Sequence, residues 1–207
     1  MITATRSVFP VRPPSLCLLA TCAVLTTAPA GAKTTETGIS NSAVTIYGGR
    51  LSDGDWQESF GPGTHFIDSD LLVAAYSRTL ATSPDRGRSY EVEGQIGKHF
   101  GIQDHWEYNL LGAVRWHRLP WSGVMNSTAA FGLGVSWADR VPLAEATLIN
   151  NSSEQWLTYW HLELTLGPKN QPWQASLRMH HRSTAYGLFG DEGGSNAVTL
   201  GVRYELD

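Results

Sequence analysis

The sequence predicts an eight-stranded antiparallel β-barrel that crosses a membrane, on three observations. Apolar and polar residues alternate with a period of two along eight segments of about ten residues. Tryptophan and tyrosine gather near the ends of those segments, as they do at a membrane–water boundary. The second face of several segments is small or polar, and an even strand count suits closure. Composition agrees: the 207 residues are only 16% charged and include 21 Gly and 8 Trp, too rich in large apolar side chains for a disordered chain. A net charge of −4 without a Lys/Arg cluster leaves no footprint for nucleic acid, and two cysteines build no zinc framework.

Residues 1–32 are set apart from the fold. Arg6 and Arg12 give a basic front, Ser15 to Ala28 is a mostly apolar run too short to span a bilayer as a helix, and Ala30-Gly31-Ala32 is a small-x-small cleavage site. The expectation is a cleaved signal peptide, followed by one outer-membrane barrel domain over 33–207. A lipoprotein site at Leu19-Ala20-Thr21-Cys22 competes, but Thr21 is bulky for it and the apolar run continues past Cys22. Cys17 and Cys22 leave with the leader, so no disulfide staples the exported chain.

After a polar lead-in at 33–42, strands are expected near 43–52, 68–81, 89–100, 105–118, 128–138, 156–167, 172–183 and 195–206. The sixth is the clearest. Trp156, Thr158, Trp160, Leu162, Leu164 and Leu166 alternate with Leu157, Tyr159, His161, Glu163 and Thr165. In the fourth, Trp106, Tyr108, Leu110, Val114 and Trp116 oppose Glu107, Asn109 and Arg115, with Leu111 and Ala113 blurring the pattern. In the fifth, Ala129, Phe131, Leu133, Val135 and Trp137 oppose small residues. A soluble periplasmic barrel would alternate equally well, but its outer face would be polar where this one carries Trp, Tyr and Leu. With the N-terminus in the periplasm, the long connections 53–67 and 139–155 lie outside and 82–88, 119–127 and 168–171 lie inside. The short external turn at 101–104 runs against that trend.

Strand seven carries the chemistry. Trp173, Ala175, Leu177 and Met179 form its oily face; Gln174, Ser176, Arg178, His180 and Arg182 face the lumen, where His180 and Arg182 are expected in a hydrogen-bonded network. Continued alternation turns His181 and Ser183 outward, neighbours on one face at roughly twice the ~3.3 Å rise. The outward set of strand eight, Val198, Leu200, Val202, Tyr204 and Leu206, extends back to Asn196, which the hairpin brings beside His181. Base, nucleophile and orienter are thus available on an oily surface. His117 and His161 are lumen residues, His65, His99 and His105 lie near strand ends, and their spacings make no metal site.

The run from Arg178 through His180, His181, Arg182, Ser183, Thr184, Ala185, Tyr186 and Gly187 to Leu188, with Gly193-Gly194-Ser195-Asn196 and the closing strand Leu200 to Tyr204, resembles the C-terminal signature of the lipid A 3-O-deacylase (acyloxyacyl hydrolase-like) outer-membrane family. The resemblance covers about 30 residues. It implies an outer-membrane serine esterase that removes an ester-linked acyl chain from lipid A of lipopolysaccharide. His181 would be the base and Ser183 the nucleophile, on the lipid-facing exterior. Thr184 stands where the family often has Asn, and Asn196, or Ser195 beside it, stands where its acid is expected. Leu206-Asp207 replaces the usual terminal aromatic. Asn196, or else Glu192, would hold the imidazole; Asp191 is the other loop carboxylate. Backbone N–H groups near Thr184 to Gly187 would hold the oxyanion, and Ala175, Leu177, Val198 and Leu200 would guide the acyl chain. No cofactor or metal is implied; the partners are lipopolysaccharide and the membrane, and a homodimer is left open. The alternative is an inactive structural or lipopolysaccharide-binding barrel. A channel ranks last, because eight strands leave an interior that side chains fill.

Overall fold

A computed structural model describes residues 38–54 and 56–206; the predicted leader at 1–32 lies outside them. Eight strands follow in order: β1 (Ser42–Ser52), β2 (Phe66–Thr82), β3 (Arg88–Gly101), β4 (Trp106–Trp116), β5 (Asn126–Ala138), β6 (Trp156–Gly167), β7 (Trp173–Ser183) and β8 (Gly194–Leu206). Each pairs antiparallel with the next, and β8 returns to β1, with Ile46 opposite Val202, so the sheet closes and leaves no edge. The expected strands are all present. β4 stops at Trp116 rather than 118, with Pro120, which has no N–H to donate, following in the turn.

Side-chain parity sorts the two faces. Outward lie Ile46, Leu72, Ile96, Leu110, Leu133, Leu162 and Leu200, all exposed, with Leu200 at 69%. Aromatic residues flank this aliphatic band: Trp106, Tyr108, Trp137 and Trp156 toward one end, Tyr90, Trp116, Trp173 and Tyr204 toward the other. Two aromatic girdles around an apolar band are the pattern of a barrel whose solvent is lipid. A band this apolar would be costly in water.

Inward, the barrel is filled with paired charge. Arg178 reaches Glu93 at 2.6 Å and Glu163 at 3.0 Å, while Arg115 reaches Glu163 at 2.7 Å and Glu91 at 3.0 Å. These side chains are nearly inaccessible, and each buried charge is matched by an opposite one, as a low-dielectric interior requires. Leu111 and Ala113, which blurred the β4 pattern, are lumen residues. Gly132 makes room there: a Cβ would sit 2.5 Å from Leu111 and 2.6 Å from the His161 ring. Above the ion pairs lies a small apolar cluster of Tyr47, Leu51, Leu71, Val73, Ala75 and Ala197.

Alternation along the chain puts the connections 53–65, 102–105, 139–155 and 184–193 at one end, and 83–87, 117–125 and 168–172 at the other. The long connections therefore share an end, as the sequence predicts. The 139–155 connection carries a helical turn, Glu145–Ile149, where the sequence predicts only a connection. Its Glu145 is fully buried and accepts from Arg182 at 2.8 Å and from Ser195 at 2.7 Å, closing the interior at this end.

Candidate active site

β7 holds its expected alternation to its last residue. Gln174, Ser176, Arg178, His180 and Arg182 are buried inside, and His181 and Ser183 fall on the outer face, half-buried. The register pairs His181 with Asn196 across the β7–β8 hairpin and with Trp160 on the other side. Asn196 Oδ1 lies 2.5 Å from His181 Nδ1. The amide is oriented by its other end, since Asn196 Nδ2 donates to the Gly54 carbonyl at 2.9 Å. An amide oxygen only accepts, so His181 Nδ1 carries the proton in this contact, the arrangement that directs Nε2 to act as a general base. The Trp160 ring lies 4.4 Å from the imidazole, tilted by 32°, and limits its rotation.

Among the described residues no hydrogen bond joins Ser183 Oγ to His181, although both occupy one face two residues apart. Expectation and structure also differ on the orienter. Ser195 faces inward and donates to Glu145, so it cannot serve His181. Glu192 stands exposed in the connection, and no described hydrogen bond carries it to the ring. Of the residues considered for that role, Asn196 is the one in contact.

After Ser183 the backbone turns through three left-handed residues, Ala185 (φ 50°), Tyr186 (φ 59°) and Gly187 (φ 93°). For the two non-glycine residues this costs about 1–2 kcal/mol each. The Phe189 N–H closes the turn on the Thr184 carbonyl at 3.1 Å. The N–H groups between them are presented on a strained loop beside the serine, where the sequence reading seeks oxyanion donors. Ala175, Leu177 and Leu200 are exposed on the outer wall below, and Val198 is half-buried.

The sequence missed the segment that covers this patch. The 53–65 connection leaves β1 and crosses the outside of β8: Gly54 receives Asn196, and Trp56 stands edge-on to Trp160 at 5.6 Å. Met179, outward by parity, is only 1% exposed. Trp160 was legible as an outward residue level with His181; Trp56 gave no periodic signal.

The closed eight-stranded topology and this exterior patch can be set against known proteins. The fold is similar to that of the outer membrane enzyme PagL. That crystal structure superposes with a TM-score of 0.52 at 11% sequence identity, over 79% of this chain and 99% of the other. Neisserial surface protein A (NspA) superposes with a TM-score of 0.42, also at 11% identity, over 81% and 98%. No protein family and no curated protein matches the sequence. The likeness to PagL bears on the barrel: the chain has the architecture of bacterial outer-membrane proteins.

One interior group at the same end has the donor types of a metal site. His99, His105 and Glu107 place one ligating atom each within 4.8 Å of one another. The spacing shows no such set, because what brings His105 and Glu107 beside His99 is the register between β3 and β4, which intervals along the chain do not give. Burial, with His99 stacked beside it, pushes the His105 imidazole down to about 3, so the ring is neutral across the physiological range.

Proposed function

We propose that this chain is an outer-membrane serine esterase that removes an ester-linked acyl chain from lipid A. The observation that carries the reading is the His181–Asn196 hydrogen bond on the lipid-facing surface, with Ser183 two residues along the same face. The resemblance around Arg178 to Asn196 supports the substrate class. The outward position supports it too: an acyl chain already in the leaflet meets Leu177 and Leu200 before it meets water.

In this reading the Ser183 side chain rotates toward the ring, and His181 Nε2 takes its proton as Oγ attacks the acyl carbonyl. N–H groups of the 184–187 turn stabilise the oxyanion. His181 then returns the proton to the departing sugar hydroxyl, leaving an acyl-serine. Water, deprotonated by the same Nε2, releases the fatty acid and restores Ser183. Asn196 keeps the tautomer but adds no charge to the imidazolium, so turnover is slower than a carboxylate would give.

Lipopolysaccharide incubated with wild-type and Ser183→Ala protein, with fatty acid quantified by mass spectrometry, tests this. Release by wild type alone is expected; equal release from both ends the esterase reading. The second reading, a silent barrel that binds lipopolysaccharide headgroups at the same rim, is favoured by the missing Ser183–His181 bond. It requires no release from either protein and saturable binding by both. Export by a cleaved leader belongs to the same proposal and is checked by a mature N-terminus at Lys33.

A further inference from the structure

The interior cluster beneath the 102–105 turn is independent of the outward site. His99 is the last inward side chain of β3, and Glu107 is inward at the second residue of β4. His105 is drawn beneath them, because the His99 N–H donates to its carbonyl at 3.0 Å. The two imidazoles stack with centroids 4.2 Å apart at 12°. His99 and His105 are each 1% exposed and Glu107 is wholly buried. Among the described residues, neither ring nitrogen of His105 has a hydrogen-bond partner, nor does the Gln103 Oε1 atom in the same turn. Buried nitrogens left unpaired cost free energy that a hydrophobic side chain would avoid, so an imidazole placed there asks for a ligand.

We propose that His99, His105 and Glu107 bind one divalent transition-metal ion of the zinc class. Two imidazoles and one carboxylate are the borderline donors such ions select, whereas calcium and magnesium require oxygen-dominated shells. His99 Nε2 and Glu107 Oε2 are 2.9 Å apart, a separation two atoms can hold while each lies ~2.0–2.2 Å from one ion. Gln103 Nε2 lies 2.9 Å from His99 Nδ1, which places it to fix that ring from behind. On binding, the His99 proton moves from Nε2 to Nδ1 and the Gln103 amide turns its oxygen to accept it, so His99 gives up no net proton. The carboxylate is anchored independently: Glu107 Oε1 lies 2.9 Å from His180 Nε2 and accepts from Asn109 at 2.7 Å. Its Oε2 is 3.8 Å from Arg182, whose guanidinium is engaged by Glu145 at 2.8 Å. The ion would thus fasten the 102–105 turn to the interior network.

The test uses the full mature chain without an affinity tag, folded in detergent and stripped with chelator. Zn²⁺ is titrated calorimetrically and Co²⁺ by visible absorption. One ion per chain is expected, with intensified Co²⁺ bands of a low-coordinate site. His105→Leu forfeits no side-chain hydrogen bond, should fold, and loses stoichiometric binding. Gln103→Leu weakens Zn²⁺ binding about 10–100-fold, and His117→Leu leaves it unchanged. The proposal is overturned if wild type binds no more Zn²⁺ than His105→Leu, or if Co²⁺ keeps its aqueous spectrum. Folded electrophoretic mobility checks each variant. Should His105→Leu not fold, unchanged Zn²⁺ affinity in Gln103→Leu overturns it instead.

Discussion

His180 and His181 are chain neighbours with opposite surroundings. His180 is inside, 2% exposed, with Nε2 2.9 Å from Glu107 and Nδ1 within 3.3–3.4 Å of the Tyr47 and Tyr159 hydroxyls. His181 is on the outer face, half-buried against Trp160 and Asn196. Both rings are held, but the inner one is held by groups that no substrate can displace. The inner face of β7 maintains the barrel, and in the esterase reading the outer face carries the chemistry. Parity along one strand decides which histidine does which.

The sharpest way to break this contrast is to remove one ring at a time. In the esterase reading, His181→Ala lowers acyl release about 10²–10⁴-fold, the usual worth of a general base, while the denaturant midpoint stays near that of wild type. His180→Ala should do the reverse, destabilising the barrel because the Glu107 carboxylate loses a partner. Equal loss of activity in both variants, tracking loss of fold, would erase the division between the faces.

A second test stays inside. Arg178 neutralises Glu93 and Glu163 together, so Arg178→Ala leaves two buried carboxylates short of a cation and costs about 3–5 kcal/mol of stability. Urea unfolding in detergent reads this directly. The fraction that remains folded should release acyl chains at close to the wild-type rate, because Arg178 faces away from Ser183. A rate that falls in the folded fraction would mean that the two faces are coupled more tightly than alternation implies.

A smaller effect sharpens the outer site itself. Asn196→Asp accepts from His181 Nδ1 and adds the charge that an imidazolium intermediate favours, at the cost of the donor to the Gly54 carbonyl. Acyl release should rise, by roughly tenfold if about 1.4 kcal/mol of stabilisation is realised. Asn196→Leu should lower it and also free the 53–65 connection, which Asn196 anchors through Gly54. A variant series in which Asp, Asn and Leu behave alike would show that the imidazole needs no orienter.

Much of this was legible in the sequence because strands obey a rule with period two. The eight segments, the outward turn of His181 and Ser183, and the placement of Asn196 beside the imidazole all follow from counting parity across one hairpin. What escaped lies in the connections. The path of residues 53–65 over β8, the burial of Glu145 in the barrel mouth, and the arrival of His105 beneath His99 depend on long-range packing of irregular backbone. The absence of a Ser183–His181 bond is likewise a matter of one side-chain rotation, which spacing cannot specify.

The least disruptive test uses a histidine at the other end. His117 follows β4, and its Nε2 lies 2.8 Å from Ser89 Oγ, which in turn donates to Glu91 at 3.0 Å. With its single proton given to Glu91, the serine accepts from an Nε2–H, so the neutral ring already satisfies the contact. Burial, reinforced by the Arg115 guanidinium nearby, pushes the His117 imidazole down to about 4. Because the fold prefers the neutral ring, its contribution to stability is complete above the usual histidine range near 6.5. It is lost progressively as the pH falls from there toward 4. The Cε1–H resonance of His117 in detergent-solubilised protein should titrate near pH 4, and His117→Gln should leave acyl release unchanged. A midpoint at 6.5 would mean that water reaches Arg115 and Glu91 from this end. The interior would then lack the dry, ion-paired character that sets it apart from the outer face.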